Sequence, residues 1–173
     1  MSKVTGGICI PHLKQKIITP ALNYLSVGGS RAINQVTGTF LAEGYAGGVT
    51  YLKQIGKEAP QVGSMQMEPA AYNDIWKNFL SNPKPSHLVS LLKNIAGSFN
   101  TDNNGIPKAE TMIGNLFFAA AMCRVFYLRI PTALPFATDA TAMARYHKRY
   151  YNTAQGKAVW KENVDWLQQA IAA

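Results

Sequence analysis

Charge is scarce in this chain. Only 15% of its 173 residues are Asp, Glu, Lys or Arg, against about 25% in an ordinary soluble domain. Much of the surface is therefore uncharged, or part of it is covered by a partner. Acidic residues are the scarcer sign, nine against seventeen basic ones, for a net charge of +8. The two cysteines, Cys9 and Cys123, are too few for a disulfide framework and leave the redox compartment open. Cys123 lies in an apolar run and reads as a small buried hydrophobe. No run of five basic residues occurs. The densest cluster is Arg145, His147, Lys148 and Arg149, and no nucleic-acid motif accompanies it, so no specific nucleic-acid partner is expected. The basic balance suits an anionic cell-wall polymer or an acidic protein surface instead. The longest apolar run, Leu116 to Val125, is broken by Arg124 and is too short to span a bilayer. The opening residues, MSKVTGGICIPHLKQK, are too polar and too interrupted for a signal peptide. If the chain acts on cell wall, something else is expected to deliver it from the cytoplasm of the cell that makes it.

What the chain does have is helical periodicity and 47% apolar residues, enough for one domain with a single core. No internal repeat is visible. A first helix is expected over Ile10 to Ser26, with a kink at Pro20. A second runs from Arg31 to about Glu43 behind Ser30, with Ile33, Val36, Phe40 and Leu41 inward. Gly44, Gly47, Gly48, Gly56 and Gly63 punctuate the next stretch. Irregular structure is expected there, with a small hairpin in 44–65 as the one sheet. Pro69 opens a third helix and Ser86 a fourth, and residues 98–107 read as a loop. The most apolar helix, about Lys108 to Arg129, is expected to be the central buried one. Asp139 caps a helix over Ala140 to Tyr151, and a last helix runs from about Gly156 to Ala172. The class is thus mainly α, one domain of about seven helices.

Chemistry-bearing residues are few. His12, His87 and His147 are isolated from one another and lack the i+4 partner of a helical zinc site, so no metal is expected. The Asp102-Asn103-Asn104-Gly105 stretch lacks calcium-loop spacing and reads as a turn. No G-x-S-x-G occurs, and Cys123 has no evident His partner. No cofactor motif is present. Among the acids, Asp74 and Glu110 fall where first helical turns are expected, and most others read as loop, cap or exposed-face residues. Glu43 and Glu68 remain. Glu43 stands where an apolar helix meets a Gly-rich segment. A carboxylate there is partly desolvated, which favours the protonated form a glycosidic general acid needs. By pattern alone the favoured reading is a helix-end residue that faces water.

Three short motifs in order carry a resemblance: Glu43 at a helix end, Gly63-Ser64-Met65-Gln66-Met67, and Tyr150-Tyr151-Asn152. Together they resemble the lytic transglycosylase (SLT-type) branch of the lysozyme superfamily, which has Glu-Ser, then Gly-Leu-Met-Gln, then Ala-Tyr-Asn. Longer runs, GTFLAEGY, TYLKQIG, GSMQMEPAAYNDIWKNFL, MCRVFYLRIP and ARYHKRYYNTAQGK, are similar to a family of small bacteriophage lysozyme-like proteins over most of the chain. The resemblance implies a lysozyme-like fold and a virion protein of the tail or baseplate, present in several copies. It makes Glu43 the acid that protonates the glycosidic oxygen of peptidoglycan. Gln66 then bonds the glycan near the scissile bond, and Tyr151 sits close to Glu43. Ser64 and Met65 line the cleft, and Asn152 steadies its corner. By pattern alone, Met65 and Met67 read equally as core residues, and Tyr150 and Tyr151 as helix packing.

The chain departs from that pattern at the site. Gly44 stands where the family has Ser, Ser64 where it has Leu, and the segment YAGGVTYLKQ is about one residue longer. Glycine is costly to fix, so a loosely held Glu43 is expected. Two functions follow: a muralytic enzyme, hydrolase or transglycosylase, or a tail or baseplate part that keeps the fold after catalysis has decayed. The implied partners are peptidoglycan or other tail proteins.

Overall fold

The periodic segments form helices in the computed structural model, which describes residues 4–5, 8–44, 61–152 and 159–173. The chain is mainly α, with eight helices among the described residues once adjoining turns are joined. A two-stranded antiparallel ladder precedes them, β1 (Val4–Thr5) against β2 (Ile8–Cys9), with Val4 opposite Cys9. Two residues a side are too short to give an alternating pattern, so the sequence carries no sign of it.

Helix α1 covers 10–24 as Ile10–Leu13, a π turn at Lys14–Ile18, and Thr19–Tyr24. The irregularity expected at Pro20 takes the form of that π turn. The Thr19 N–H reaches the Lys14 carbonyl five residues back, and the widened turn accommodates a proline with no N–H to give. Helix α2 is Ser30–Gly44. It was expected to bury one face, yet Asn34 through Ala42 are all buried, while Ile33 is only partly so. Most of its buried polar side chains find partners inside: Thr37 Oγ1 donates to the Ile33 carbonyl at 2.8 Å, Thr39 Oγ1 to that of Gln35 at 2.9 Å, and Asn34 Nδ2 to that of Ala137 at 2.9 Å, while Gln35 Oε1 has none among the described residues. Buried polar groups with partners cost little, so this polar-looking helix shares the centre of the molecule with the apolar one.

Helix α3 covers 69–79 as Pro69–Asp74 and a π turn at Ile75–Phe79. Asp74 lies beyond its first turn, where it pairs with Arg129 rather than serving the helix dipole. Helix α4 is Ser86–Ala96. The single helix expected over 108–129 is two, α5 (Thr111–Gly114) and α6 (Leu116–Leu128). Asn115 breaks it: its backbone is extended, its side chain accepts the Phe118 N–H at 2.9 Å, and its amide donates to the Ile95 carbonyl at 2.8 Å. An N-cap with a second tertiary bond outweighs continuation past Gly114. Helix α6 is nearly all buried from Phe118 to Tyr127, Cys123 included. Arg124, which interrupts its apolar run, donates Nε to the Val27 carbonyl at 2.9 Å and so ties down the α1–α2 turn.

Helix α7 covers 140–152 as Ala140–His147 and a π turn at Lys148–Asn152, and Asp139 caps it by accepting the Ala142 N–H at 2.8 Å. Helix α8 is Trp160–Ala172; its expected start near Gly156 lies outside the described residues, as does most of the expected hairpin in 44–65. The described end of that segment is a tight turn closed by a Val62–Met67 bridge. In the 98–107 loop, Asp102 accepts the N–H groups of Asn104 and Ile106, both at 2.8 Å.

Helix α8 packs closely on both α2 and α7. Lys14 from α1 donates Nζ to the Ala170 carbonyl at 2.7 Å, placing a cation at the α8 C-terminus where the helix dipole favours one; burial lowers the pKa of that amine. The α2–α8 contact is close because Gly38 has no side chain. A Cβ there would come within 2.0 Å of Leu167 Cδ1, and Leu167 is wholly buried. Gly38→Ala is expected to destabilise the protein by about 1–3 kcal/mol through overpacking, measured by urea unfolding. Leu167→Ala in the same chain should recover part of that loss, whereas simple additivity of the two changes would contradict this packing.

Candidate functional site

Glu43 stands at the end of α2, and what surrounds it comes from α7 and α8. In an α-helix, residues five apart face well away from each other. The π turn at the end of α7 winds more slowly and brings Asn152 back over the face that carries His147 and Tyr151. Glu43 Oε1 accepts a hydrogen bond from Asn152 Nδ2 at 3.1 Å and lies 2.9 Å from His147 Nε2. The ring N–H direction at Nε2 is off the line to that oxygen, so this contact is a close electrostatic approach rather than an aligned hydrogen bond. Asn152 Oδ1 accepts from Lys148 Nζ at 3.0 Å. The other ring nitrogen, His147 Nδ1, lies 3.3 Å from Asn163 Nδ2 of α8. The imidazole is fully buried, while the Glu43 side chain keeps 17% exposure. Glu43 is thus held by two neighbours, not loosely held.

Tyr151 stacks on His147, ring centroids 5.6 Å apart and planes 20° off parallel. Its hydroxyl donates to the Met65 carbonyl at 2.8 Å, which ties α7 to the 61–68 turn. Beneath the site, Thr39 Oγ1 and the Tyr127 hydroxyl lie 2.7 Å apart. Burial pushes the pKa of Tyr127, Tyr151 and Cys123 upward, so all three stay protonated and neutral around neutral pH. Cys123 is therefore a poor nucleophile.

The structure brings Glu43, Tyr151 and Asn152 together and brings the backbone of 63–66 up to them. It does not present every side chain expected there. Ser64 and Met65 are buried, and Met65 belongs to the main core. Neither lines an open cleft, because the short turn between Val62 and Met67 directs these side chains inward. Gln66 is 8% exposed, with backbone in the left-handed region at φ +46°, a conformation unusual for a residue with a Cβ. Its amide donates to the Gly63 carbonyl at 2.7 Å, bracing the turn.

His147 and Asn163 escaped the sequence reading. His147 counted only as one of three scattered histidines and a member of a basic cluster. Its position one turn before Tyr151 was the available signal. Asn163 gave none. Four other described carboxylates are engaged elsewhere: Asp74 with Arg129, Glu68 with Gln61, Asp102 and Asp139 with backbone N–H groups. Among the described residues no three His, Cys, Asp or Glu side chains converge as a metal centre requires. The arrangement has one partly exposed carboxylate, backed by an amide and an imidazole, able to give or take a proton at a group placed beside it.

No family model, curated protein or solved structure matches the chain.

Gly44 has a local reason to be glycine. A Cβ there would come within 2.5 Å of the Ser64 carbonyl oxygen, which belongs to backbone and cannot step aside cheaply. Gly44→Ser, which introduces the side chain the resemblance would lead one to expect, should therefore cost about 1–3 kcal/mol of stability. Chemical denaturation measures it, and a Gly44→Ser protein as stable as the parent would show that the turn does not press on α2.

Proposed function

We propose that this chain is a bacteriophage virion-associated lysozyme-like protein of the tail or baseplate that acts on the glycan strands of peptidoglycan during infection. The observation that carries the reading is Glu43: a partly exposed carboxylate at the end of a buried helix, with Asn152 on one of its oxygens and Tyr151 beside it. Those are the residues that the resemblance to the lytic transglycosylase branch makes its acid and the acid's companions. Glu43 protonates the glycosidic oxygen and the bond to the anomeric carbon breaks. The anomeric carbon is then captured either by water or by the sugar's own 6-hydroxyl, whose proton returns to Glu43. The second course needs no second carboxylate. The net charge of +8 draws the protein to an anionic wall. No helix among the described residues is long and apolar enough to cross a membrane.

A second reading has its own support. Ser64 and Met65 turn into the core, the Gln66 amide is spent on its own turn, and the large apolar side chains Phe99 and Phe136 stand in the open. These features suit a non-catalytic tail or baseplate component, present in several copies, whose exposed faces are covered by neighbouring tail proteins. Release of soluble fragments from purified cell wall separates the two. The enzyme reading expects release by the parent protein and a loss of at least about a hundredfold in Glu43→Gln, the scale of removing a general acid. A parent protein that leaves the wall intact overturns it and leaves the structural reading standing.

A further inference from the structure

Gly44 leaves no room for a side chain that could orient Glu43 from the next position, so that orientation must come from elsewhere in the fold. We propose that Asn163 and His147 form a positioning relay for Glu43: Asn163 sets the tautomer of the buried imidazole, and the imidazole steadies Oε1 so that the transferable proton rides on Oε2. The proposal rests on the reading of Glu43 as a glycosidic acid and extends it to two residues outside the motifs.

The chemistry follows from the donor inventory. The Nδ2 of an asparagine can only donate. Placed 3.3 Å from His147 Nδ1, it makes that nitrogen the acceptor, and the proton of the neutral ring then lies on Nε2. Nε2 is the nitrogen 2.9 Å from Glu43 Oε1. The ring is fully buried, so water does not compete for either nitrogen. Its surroundings restrict it further: Tyr151 of α7 stacks on its face, Asn163 of α8 sits at one edge, and Glu43 of α2 sits at the other. The nearest cation on its own helix, Lys148, is turned to Asn152.

Oε1 thus accepts a hydrogen bond from Asn152 and has the Nε2 edge of His147 2.9 Å away, whereas Oε2 has no donor among the described residues. A carboxyl group so held keeps its proton on Oε2. When that proton passes to the glycosidic oxygen, the C–O bond breaks with its electron pair going to the leaving oxygen, and negative charge develops on the carboxylate. The Nε2–H contact strengthens as that charge appears, which is when stabilisation speeds the reaction. His147 and Asn163 are positioning residues: they act through Glu43 and touch no substrate.

The test has two arms. In 15N-labelled protein, the ring-nitrogen shifts of His147 distinguish a protonated from a bare nitrogen. The expected result is a protonated Nε2 and a bare Nδ1, with Nδ1 gaining a proton in Asn163→Asp, whose carboxylate can only accept. A protonated Nδ1 in the parent protein overturns the relay. In the second arm, cleavage of soluble glycan strands is followed. His147→Ala should lower kcat by roughly ten- to a hundredfold with little change in KM. His147→Gln, which returns an N–H near the place of Nε2, should recover part of it. Equal loss in both variants, with folding verified by circular dichroism, also overturns the relay. A parent protein that cleaves nothing defeats the enzyme reading instead, and the nitrogen shifts then decide the relay alone.

Discussion

The buried helix α2 ends in a carboxylate that protein largely encloses, and a charge so far removed from water needs partners. Much of the architecture around it can be read as the answer to that constraint. Helix α7 brings His147 and Asn152 to one oxygen of Glu43. Helix α8 backs His147 with Asn163 and is itself drawn close to α2 by the missing side chain at Gly38. The 61–68 turn is held to α7 by the Tyr151 hydroxyl and presses its Ser64 carbonyl on Gly44. One charged group is thereby linked to three helices and a turn.

Much of the architecture was legible from pattern. Apolar spacing placed the helices, and prolines and small polar residues marked their starts: Pro69 lies in the first turn of α3, and Asp139 caps α7 as expected. Other features were not legible, for identifiable reasons. Asn34, Thr37 and Thr39 look like a solvent face, and only the structure reveals that nearby carbonyls and the Tyr127 hydroxyl offset the cost of their burial. The break at Asn115 depends on the Ile95 carbonyl, twenty residues away. No periodicity argument can see a bond of that kind.

At the site, Glu43, Tyr151 and Asn152 could be picked out because motifs mark them. His147 is marked by no motif, and its one-turn spacing to Tyr151 gains meaning only once the π turn of α7 brings Asn152 round to the same side. The role of Gly44 was also hidden. Its effect arises from a carbonyl twenty positions on, so what reads as a loss in sequence is a close contact in space. The departures from the lytic transglycosylase pattern therefore divide into two kinds. On the proposed reading, His147 and its support take over at Glu43 what a side chain at Gly44 would do, whereas the inward turn of Ser64 and Met65 has no counterpart of that kind among the described residues.

The central claim is that Glu43 and His147 are energetically coupled, and a double-mutant cycle measures that coupling directly. Parent, Glu43→Gln, His147→Ala and the double variant are unfolded in urea at neutral pH. A favourable coupling of about 1 kcal/mol or more is predicted, the range of buried pairs that share a network. Additive effects of the two substitutions, within error, would contradict the account.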